Sequence, residues 1–420
     1  MSRPLVIKFG GTSVGSGAAF LCAASIAAEA ARNRPVAVVV SAMAGITDAL
    51  LGLARTSSVP VREGSQGHLL HTLSERHSGA AREAVPARLL SVVEGRIQAI
   101  IGRLAEALKA PVGDPAAHLD EIGSFGERLS AEILAGAIDG FGVPASVAPG
   151  DPIATDGCFG DAGVLVGETR RRAQKYVRPL LNEGIVAVTP GYFGRGPDGA
   201  VTTLGRGGSD LSATVLGRAL GAEEIWILSD VDGVLDADPR LIPDAALIPH
   251  LSYREAGQFA ALGAEVLHPG TIAPAAEAKI KVRVASTFNP GSPGTRISDR
   301  EGGPGIRSVA LRRGLSLTHV PPEIAGDGVF CCLEADAVGI KVLANGPGVA
   351  AVVCVGAPTD EDLLFGLRSL GEANIRPLYA GNTSIGLLFA VAEGKAEGAL
   401  RALHAALIPP GASAEMEEVA

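Results

Sequence analysis

Four short runs, Leu5 to Phe9, Val36 to Val40, Ile185 to Val188 and Ile225 to Leu228, lack the apolar–polar alternation of a half-exposed strand. Runs rich in β-branched residues, bounded by turn signals, fit strands covered on both faces, which is the habit of parallel sheets. Between them, Ala18 to Arg32, Pro86 to Lys109, His118 to Ile138, Gly167 to Asn182 and Leu211 to Leu220 are rich in Ala, Leu, Glu and Arg. Their apolar residues recur three and four apart, so these segments read as helices. Strand and helix alternate up to about residue 290, as a doubly wound α/β sheet requires.

The pattern changes at Asn289 to Gly305, NPGSPGTRISDREGGPG, where Pro, Gly and charged residues crowd together. Such a stretch reads as a surface linker, and a domain boundary is placed there. Beyond it come shorter units: strand Leu315 to Val320, helix Gly328 to Ala337, strands Gly339 to Leu343 and Ala350 to Val355, helix Asp360 to Ala373, strands Ile375 to Tyr379 and Ile385 to Val391, and helix Lys395 to Ala406. This rhythm predicts a small α+β region with helices on one face of an antiparallel sheet, and it hints at an internal duplication. The expected division is residues 1–290, a linker over 291–305, a second region over 306–413 and a tail over 414–420. A chain of 420 residues has room for two or three such cores without disulfides or metal.

Several function classes drop out on charge and composition. Lys and Arg number 36 against 45 Asp and Glu, a net charge of −9, and no basic run compensates locally. Nucleic acid is therefore not expected as a partner, and the 4% aromatic content leaves few stacking platforms for single strands. The five cysteines, Cys22, Cys158, Cys331, Cys332 and Cys354, show neither CxxC nor a Cys/His ligand spacing. Most of them read as small buried hydrophobes in a reducing compartment, and no zinc site is expected. The apolar run in MSRPLVIKFGG is too short for a signal peptide, and no apolar stretch reaches about 18 residues, so the expectation is a cytoplasmic protein without a membrane partner.

Chemistry concentrates in two glycine-bearing turns. In KFGGTSVG, Lys8 to Gly15, a strand ends in Gly10 and Gly11 just before a helix. Glycines there let backbone N–H groups approach an anion, and the helix N-terminus adds its dipole. Lys8 precedes the glycines, the reverse of a P-loop. A tight turn beside a surface lysine would explain this motif taken alone. The second cluster, TTLGRGGSDLSA, runs from Thr202 to Ala213 and opens another helix. Ser209 or Asp210 can cap that helix, Gly207 and Gly208 leave N–H groups open, and Arg206 offers a fork for a carboxylate or phosphate. Two such turns point to a substrate carrying several negative charges. Neither follows the GxGxxG dinucleotide pattern.

Other motifs are less specific. The strand Ile225 to Leu228 runs into SDVDGVLDADPR, with Asp230, Asp232, Asp236 and Asp238. These acids could order a ribose, a basic partner or hydrated Mg²⁺, and Asp232-Gly233 could simply be a turn. A Ca²⁺ loop fails for want of a Glu at its twelfth position. Glu127, followed by Arg128 in a helix, reads on its own as a solvated face. His68 and His71 have no third ligand, so a surface or packing role is expected. There is no GxSxG, no HExxH and no reactive-cysteine setting to anchor a hydrolase.

Taken together, KFGGTSVG, SAMAGITDALL (Ser41 to Leu51), GERLSA (Gly126 to Ala131), TTLGRGGSD, SDVDGVLDADPR and GAEVLHP (Gly263 to Pro269) resemble the aspartate kinase branch of the amino-acid kinase family, in order and in spacing. The resemblance covers roughly the first 300 residues. It implies an open α/β/α sandwich followed by a shortened ACT-like regulatory region at 306–413, with homodimers formed through that region. It implies transfer of the γ-phosphoryl group of ATP, with Mg²⁺ held mainly through the phosphates, to the β-carboxylate of L-aspartate. That would be the first step toward lysine, methionine and threonine, or toward an aspartate-derived specialised metabolite.

By position, the resemblance assigns Lys8 and the Gly10-Gly11 turn, with Thr12 and Ser13, to the transferred phosphoryl group, alongside Gly208. Ser41 and Thr47 would lie near the amino acid, Glu127 on its α-ammonium group and Arg206 on its α-carboxylate. Ser209 and the catalytic Asp210 would stand between acceptor and phosphates, and Ser229, Asp230, Asp238 and Arg240 would line the nucleotide pocket. Ser229 replaces a frequent Thr, Leu235 a common aromatic, and Glu265 a Lys that many members carry; the last two weaken the expected grip on ATP. The short ACT-like region leads to an expectation of weak or absent feedback by lysine or threonine. Two alternatives remain open: a carboxylate kinase for another amino acid, and a non-catalytic amino-acid sensor.

Overall fold

The structure, a computed structural model, describes residues 2–56, 63–262, 269–303, 305–315, 348–383 and 386–408. Its chain forms two compact units. One comprises Met1–Asp232 and Gly270–Pro293, the other Gly233–Pro269 and Gly294–Ala420.

The first unit opens with β1 (Leu5–Phe9), α1 (Gly17–Ala31), β2 (Val36–Val40), α2 (Ile46–Thr56), α3 (Glu63–Ala84), α4 (Ala87–Lys109), α5 (Pro115–Gly123) and α6 (Phe125–Gly140). It continues through β3 (Ala145–Val147), α7 (Val166–Tyr176), α8 (Arg178–Asn182), β4 (Val186–Pro190), β5 (Phe193–Arg195), β6 (Val201–Thr203), α9 (Gly208–Leu220) and β7 (Glu224–Ser229). The chain then enters the second unit for β8 (His250–Ser252) and α10 (Tyr253–Ala261). It returns to the first for α11 (Pro269–Glu277) and β9 (Lys281–Ser286).

In the first unit the strands order β3-β4-β2-β1-β7-β9, all pairs parallel. β1 is central, with Phe9 opposite Val40 on one side and Leu228 on the other. The order reverses here: β2 lies on one flank of β1 and β7 on the other, which opens a crevice at the carboxyl ends of these strands. All five β1 residues are buried, as the uninterrupted run predicts. Leu5, Ile7 and Phe9 pack into a core shared with α1, α3, α4 and α6. Alternation of side chains sends Lys8 to the opposite face, where α9 packs on β1.

Two helices read as continuous are each broken in the structure. His118 to Ile138 is interrupted at Ser124, which ends α5 and precedes α6. Gly167 to Asn182 is interrupted at Val177, just before Pro179, whose ring nitrogen cannot donate to a continuing helix.

The second unit adds β10 (Thr295–Ser298), β11 (Gly305–Leu315), β12 (Val349–Ala357), α12 (Asp360–Glu372), β13 (Tyr379–Thr383), β14 (Gly386–Ala392) and α13 (Ala396–Leu407). β10, within the stretch read as a linker, pairs in parallel with β8. The other strands form an antiparallel sheet in the order β11-β12-β14-β13. Leu370, Leu400, Leu403 and Phe389 form its core on one face; Ala261 of α10 joins Val353 and Leu388 on the other. The strand expected at Ile375 to Tyr379 begins only at Tyr379. Asn374 turns left-handed (φ 55°) after α12, and Ile375 is buried in the core instead.

The strands expected at Leu315 to Val320 and Gly339 to Leu343, the helix expected at Gly328 to Ala337, Cys331, Cys332 and the 414–420 tail lie wholly or almost wholly outside the described residues. Cys354 is buried as expected, but Cys22 and Cys158 are exposed, the first on the solvated side of α1 and the second in a surface loop. No helix among the described residues is long and apolar enough to cross a membrane.

Candidate active site

Both glycine turns reach the carboxyl edge of the first unit's sheet. Phe9 carbonyl accepts from Ser41 N–H at 3.1 Å, and Gly11 carbonyl accepts from Ala44 N–H at 3.1 Å, which ties the turn after β1 to the loop after β2. A Cβ at Gly11 would stand 2.9 Å from the Ala42 carbonyl oxygen, closer than real contacts allow. Gly11→Ala is therefore expected to cost about 1–3 kcal/mol and to lower activity by forcing the two loops apart. Urea unfolding and initial rates check both effects.

The other turn comes from β6. Gly205 (φ 69°) and Gly207 (φ 73°) are left-handed, and Gly207 is the N-cap of α9 without any side-chain capping bond. Capping by Ser209 or Asp210 is thus not what starts this helix. Gly208 N–H is spent on the Gly205 carbonyl at 3.1 Å, and Leu211 N–H makes the first helical bond, to Gly207. The first-turn N–H groups of Ser209 and Asp210 have no intrahelical acceptor and stand at the positive end of the helix.

Between the turns lies a cavity of about 350 Å³. Lys8, Gly11, Ser41, Thr47, Glu127, Arg206, Gly208, Ser209 and Asp210 all line it. The Lys8 ammonium is 2.5 Å from Asp210 Oδ1, both side chains largely buried. Arg206 is exposed at the rim.

Glu127 overturns the solvated-face reading: it is 3% exposed, and its Oε2 has no hydrogen-bond partner. Its position follows from Gly126, where a Cβ would lie 2.6 Å from that of Ala42; the bare glycine lets α6 close on the Ser41 to Gly45 loop. Burial pushes the Glu127 carboxyl up to about 8, against smaller opposing effects of the hydrogen bond from Ala42 and the charge of Arg128. Arg128 itself turns to Asp151, 3.4 Å away, and stacks over Phe193. A buried carboxyl without a partner for one oxygen is costly, and a cationic ligand group would relieve the cost.

Tyr192 also lines the cavity and escaped sequence reasoning. It holds φ at 73°, rare for an aromatic residue, with its N–H bonded to Ser212 Oγ and Thr203 beside its hydroxyl. Thr203 is in turn fixed by buried Asp120, which accepts from its N–H and its hydroxyl, both at 2.7 Å. Only the Gly191 before it hints at an irregular backbone.

Other expected residues stand elsewhere. Gly10 is buried and donates its N–H to the Leu228 carbonyl at 2.9 Å, so that group is not available to an anion. A Cβ there would meet the Lys8 ammonium at 3.5 Å, in ordinary van der Waals contact. Ser13 is fully buried and bonds Thr287 Oγ1 at 2.7 Å and the Leu228 carbonyl at 3.3 Å, so its hydroxyl is structural rather than phosphate-facing. Thr12 is exposed outside the cavity lining. Ser229 and Asp230 follow at the end of β7 in the first unit, whereas Asp238 and Arg240 belong to the second and pair at 2.9 Å. Leu235 bridges to Leu247 within the second unit. Glu265 lies outside the described residues, and His68 and His71 are exposed.

A larger cavity of about 620 Å³ lies beside Trp226, flanked by Arg34 and Arg283, but neither glycine turn opens into it. The smaller cavity is the one with the chemistry.

Comparison with known proteins agrees with this fold. The sequence model of the amino acid kinase family matches residues 3–286. Lysine-sensitive aspartokinase 3 of Escherichia coli (strain K12) is 35% identical over 326 residues, covering 76% of this chain and 69% of that protein. Aspartokinase 1, chloroplastic, of Arabidopsis thaliana is 29% identical over 469 residues, covering 98% and 81%. Among solved structures, E. coli aspartokinase III in complex with aspartate and ADP (R-state) is similar with a TM-score of 0.77 at 26% identity, covering 97% of this chain and all of that one.

Proposed function

Because the chain belongs to the amino acid kinase family and, within it, to the aspartokinases, we infer that it transfers the γ-phosphoryl group of ATP to the β-carboxylate of L-aspartate. The observation that carries this reading is a single cleft holding an ammonium, a guanidinium and a buried carboxyl with one unpartnered oxygen.

The acceptor needs no general base. A β-carboxylate with an ordinary pKa near 4 is already ionised at neutral pH. One of its oxygens forms the bond to the γ-phosphorus while the bond to the β,γ-bridging oxygen breaks; ADP leaves with that electron pair, and no proton moves. The products are 4-phospho-L-aspartate and ADP. Catalysis reduces to positioning and charge neutralisation. Glu127 takes the α-ammonium group and Arg206 the α-carboxylate, with Ser41 and Thr47 beside the acceptor. Lys8, Gly11 and the N–H groups of Ser209 and Asp210 hold the γ-phosphoryl oxygens. Asp210 keeps the Lys8 ammonium aimed into the cleft. Ser229, Asp230, Asp238 and Arg240 serve the nucleotide.

No group of three or more His, Cys, Asp or Glu among the described residues could hold a metal ion. Mg²⁺ arriving with ATP would ride on the phosphates and supply charge neutralisation there. The reading places the enzyme in the cytoplasm, at the head of lysine, threonine and methionine synthesis, with an ACT-like second unit. Leu364, Phe365 and Leu367 of α12 and Leu378 before the edge strand β13 are exposed, which supports a homodimer through that face. Light scattering at twice the chain mass tests it. Lysine or threonine at millimolar concentration is expected to change the rate less than twofold.

Hydroxylamine trapping of the acyl phosphate tests the function. The hydroxamate is expected with L-aspartate and not with other acidic amino acids. Hydroxamate from a different acid would identify another carboxylate kinase, and no ADP from any acid would identify a sensor.

A further inference from the structure

Of the four acids in SDVDGVLDADPR, Asp236 has no part in the chemistry above, yet it alone is 4% exposed. Its backbone N–H donates to the Ala246 carbonyl at 2.9 Å, and its Oδ1 accepts from Ala246 N–H at 3.0 Å, which closes residues 236–246 into a loop. Its carbonyl accepts from Val309 N–H of β11 at 2.8 Å. His404 of α13 places Nε2 3.2 Å from the same Oδ1. A carboxylate oxygen only accepts, so Nε2 carries the hydrogen.

The loop so closed carries Asp238 and Arg240. Asp238 grips the Arg240 guanidinium through both oxygens, and its carbonyl accepts from Leu241 and Ile242 N–H at 2.9 Å each. Leu241 and Ile242 pack against the core that contains Leu400 and Leu403, and Arg401 donates to the Leu241 carbonyl at 3.4 Å. An irregular segment of this kind keeps one geometry only where its surroundings hold it. Here the holding groups come from β11 and α13, far along the chain.

We propose that His404 is a positioning residue for the phosphoryl transfer: through Asp236 it fixes the turn that presents Asp238 and Arg240 to the nucleotide. The proposal rests on the nucleotide reading of those two residues and extends it to a side chain of the C-terminal helix.

Steady-state kinetics of the full chain test it. H404A is expected to raise KM for ATP about tenfold, with KM for aspartate and kcat within about twofold of wild type. H404Q, whose amide can stand in for the Nε2 donor, should return KM for ATP to near the wild-type value. In the D236A background, H404A should add nothing further. Unchanged KM for ATP in H404A, a parallel rise in KM for aspartate, or failure of H404Q to restore would overturn the assignment. If H404A does not fold, H404N, which keeps a polar group but cannot reach Asp236, takes its place with the same expectation. R240A separates the two levels. No change in its KM for ATP sinks the nucleotide reading itself, whereas a rise in R240A without one in H404A sinks only the role of His404.

Discussion

Replacing Lys8 by alanine is expected to lower kcat by about 10²–10³-fold, the usual effect of losing one preorganised charge at a developing anion. Lys8 lies on the central strand with its side chain 10% exposed, held at 2.5 Å from Asp210, so its ammonium pays almost no reorganisation as the phosphoryl group transfers. Removing it also strips Asp210 of its partner, which confounds activity with stability. The double variant Lys8→Ala/Asp210→Asn resolves this: it should regain most of the lost stability and none of the turnover. Rapid-quench measurement of ADP, paired with urea melts, reads both. Turnover recovered by the double variant would mean that Lys8 matters only to the fold.

Aspartate binding at pH 7 is expected to release about 0.9 proton, all of it from Glu127. In the ligand-free cleft burial holds this carboxyl at about 8, so it is mostly protonated at neutral pH. An α-ammonium against Oε2 favours the ionised form and expels the proton. Calorimetry in two buffers of different ionisation enthalpy counts the protons. Glu127→Gln should release none and should raise KM for aspartate about 10²-fold or more, because the ammonium loses a buried anionic partner.

Stability changes with pH in the matching direction. The unfolded carboxyl ionises near the ordinary 4.5, below the folded value. The ligand-free protein therefore loses stability as pH rises from about 4.5 to about 8, and Glu127→Gln lacks this part of the slope. Equal proton release by wild type and variant would place the ammonium elsewhere.

The parts of the fold legible in sequence were those set by local pattern. β1 and β2 have the bounds their apolar runs predict, because burial on both faces leaves no alternation to misread. The glycine turns were legible because glycine is needed in both: Gly205 and Gly207 hold left-handed backbones, and Gly11 lies too close to the Ala42 carbonyl for a side chain. What escaped depends on contacts distant in the chain. Glu127 reads as solvated beside Arg128, and only the approach of Gly126 to Ala42 buries it. Ser13 belongs to the right turn but rotates inward to Thr287, 274 residues away. The breaks at Ser124 and Val177 were missed because helical periodicity continues across both. Tyr192 left no signal beyond the Gly191 before it, since its left-handed backbone is held by Ser212 and by packing against Gly208.

The most direct test is a crystal structure with ADP and L-aspartate bound. Aspartate should lie in the cleft with its α-ammonium on Glu127, its α-carboxylate on Arg206 and its β-carboxylate facing Lys8, on the line to the nucleotide's terminal phosphate. Aspartate bound outside this cleft, or turned so that its β-carboxylate points away from Lys8, would contradict the assignment.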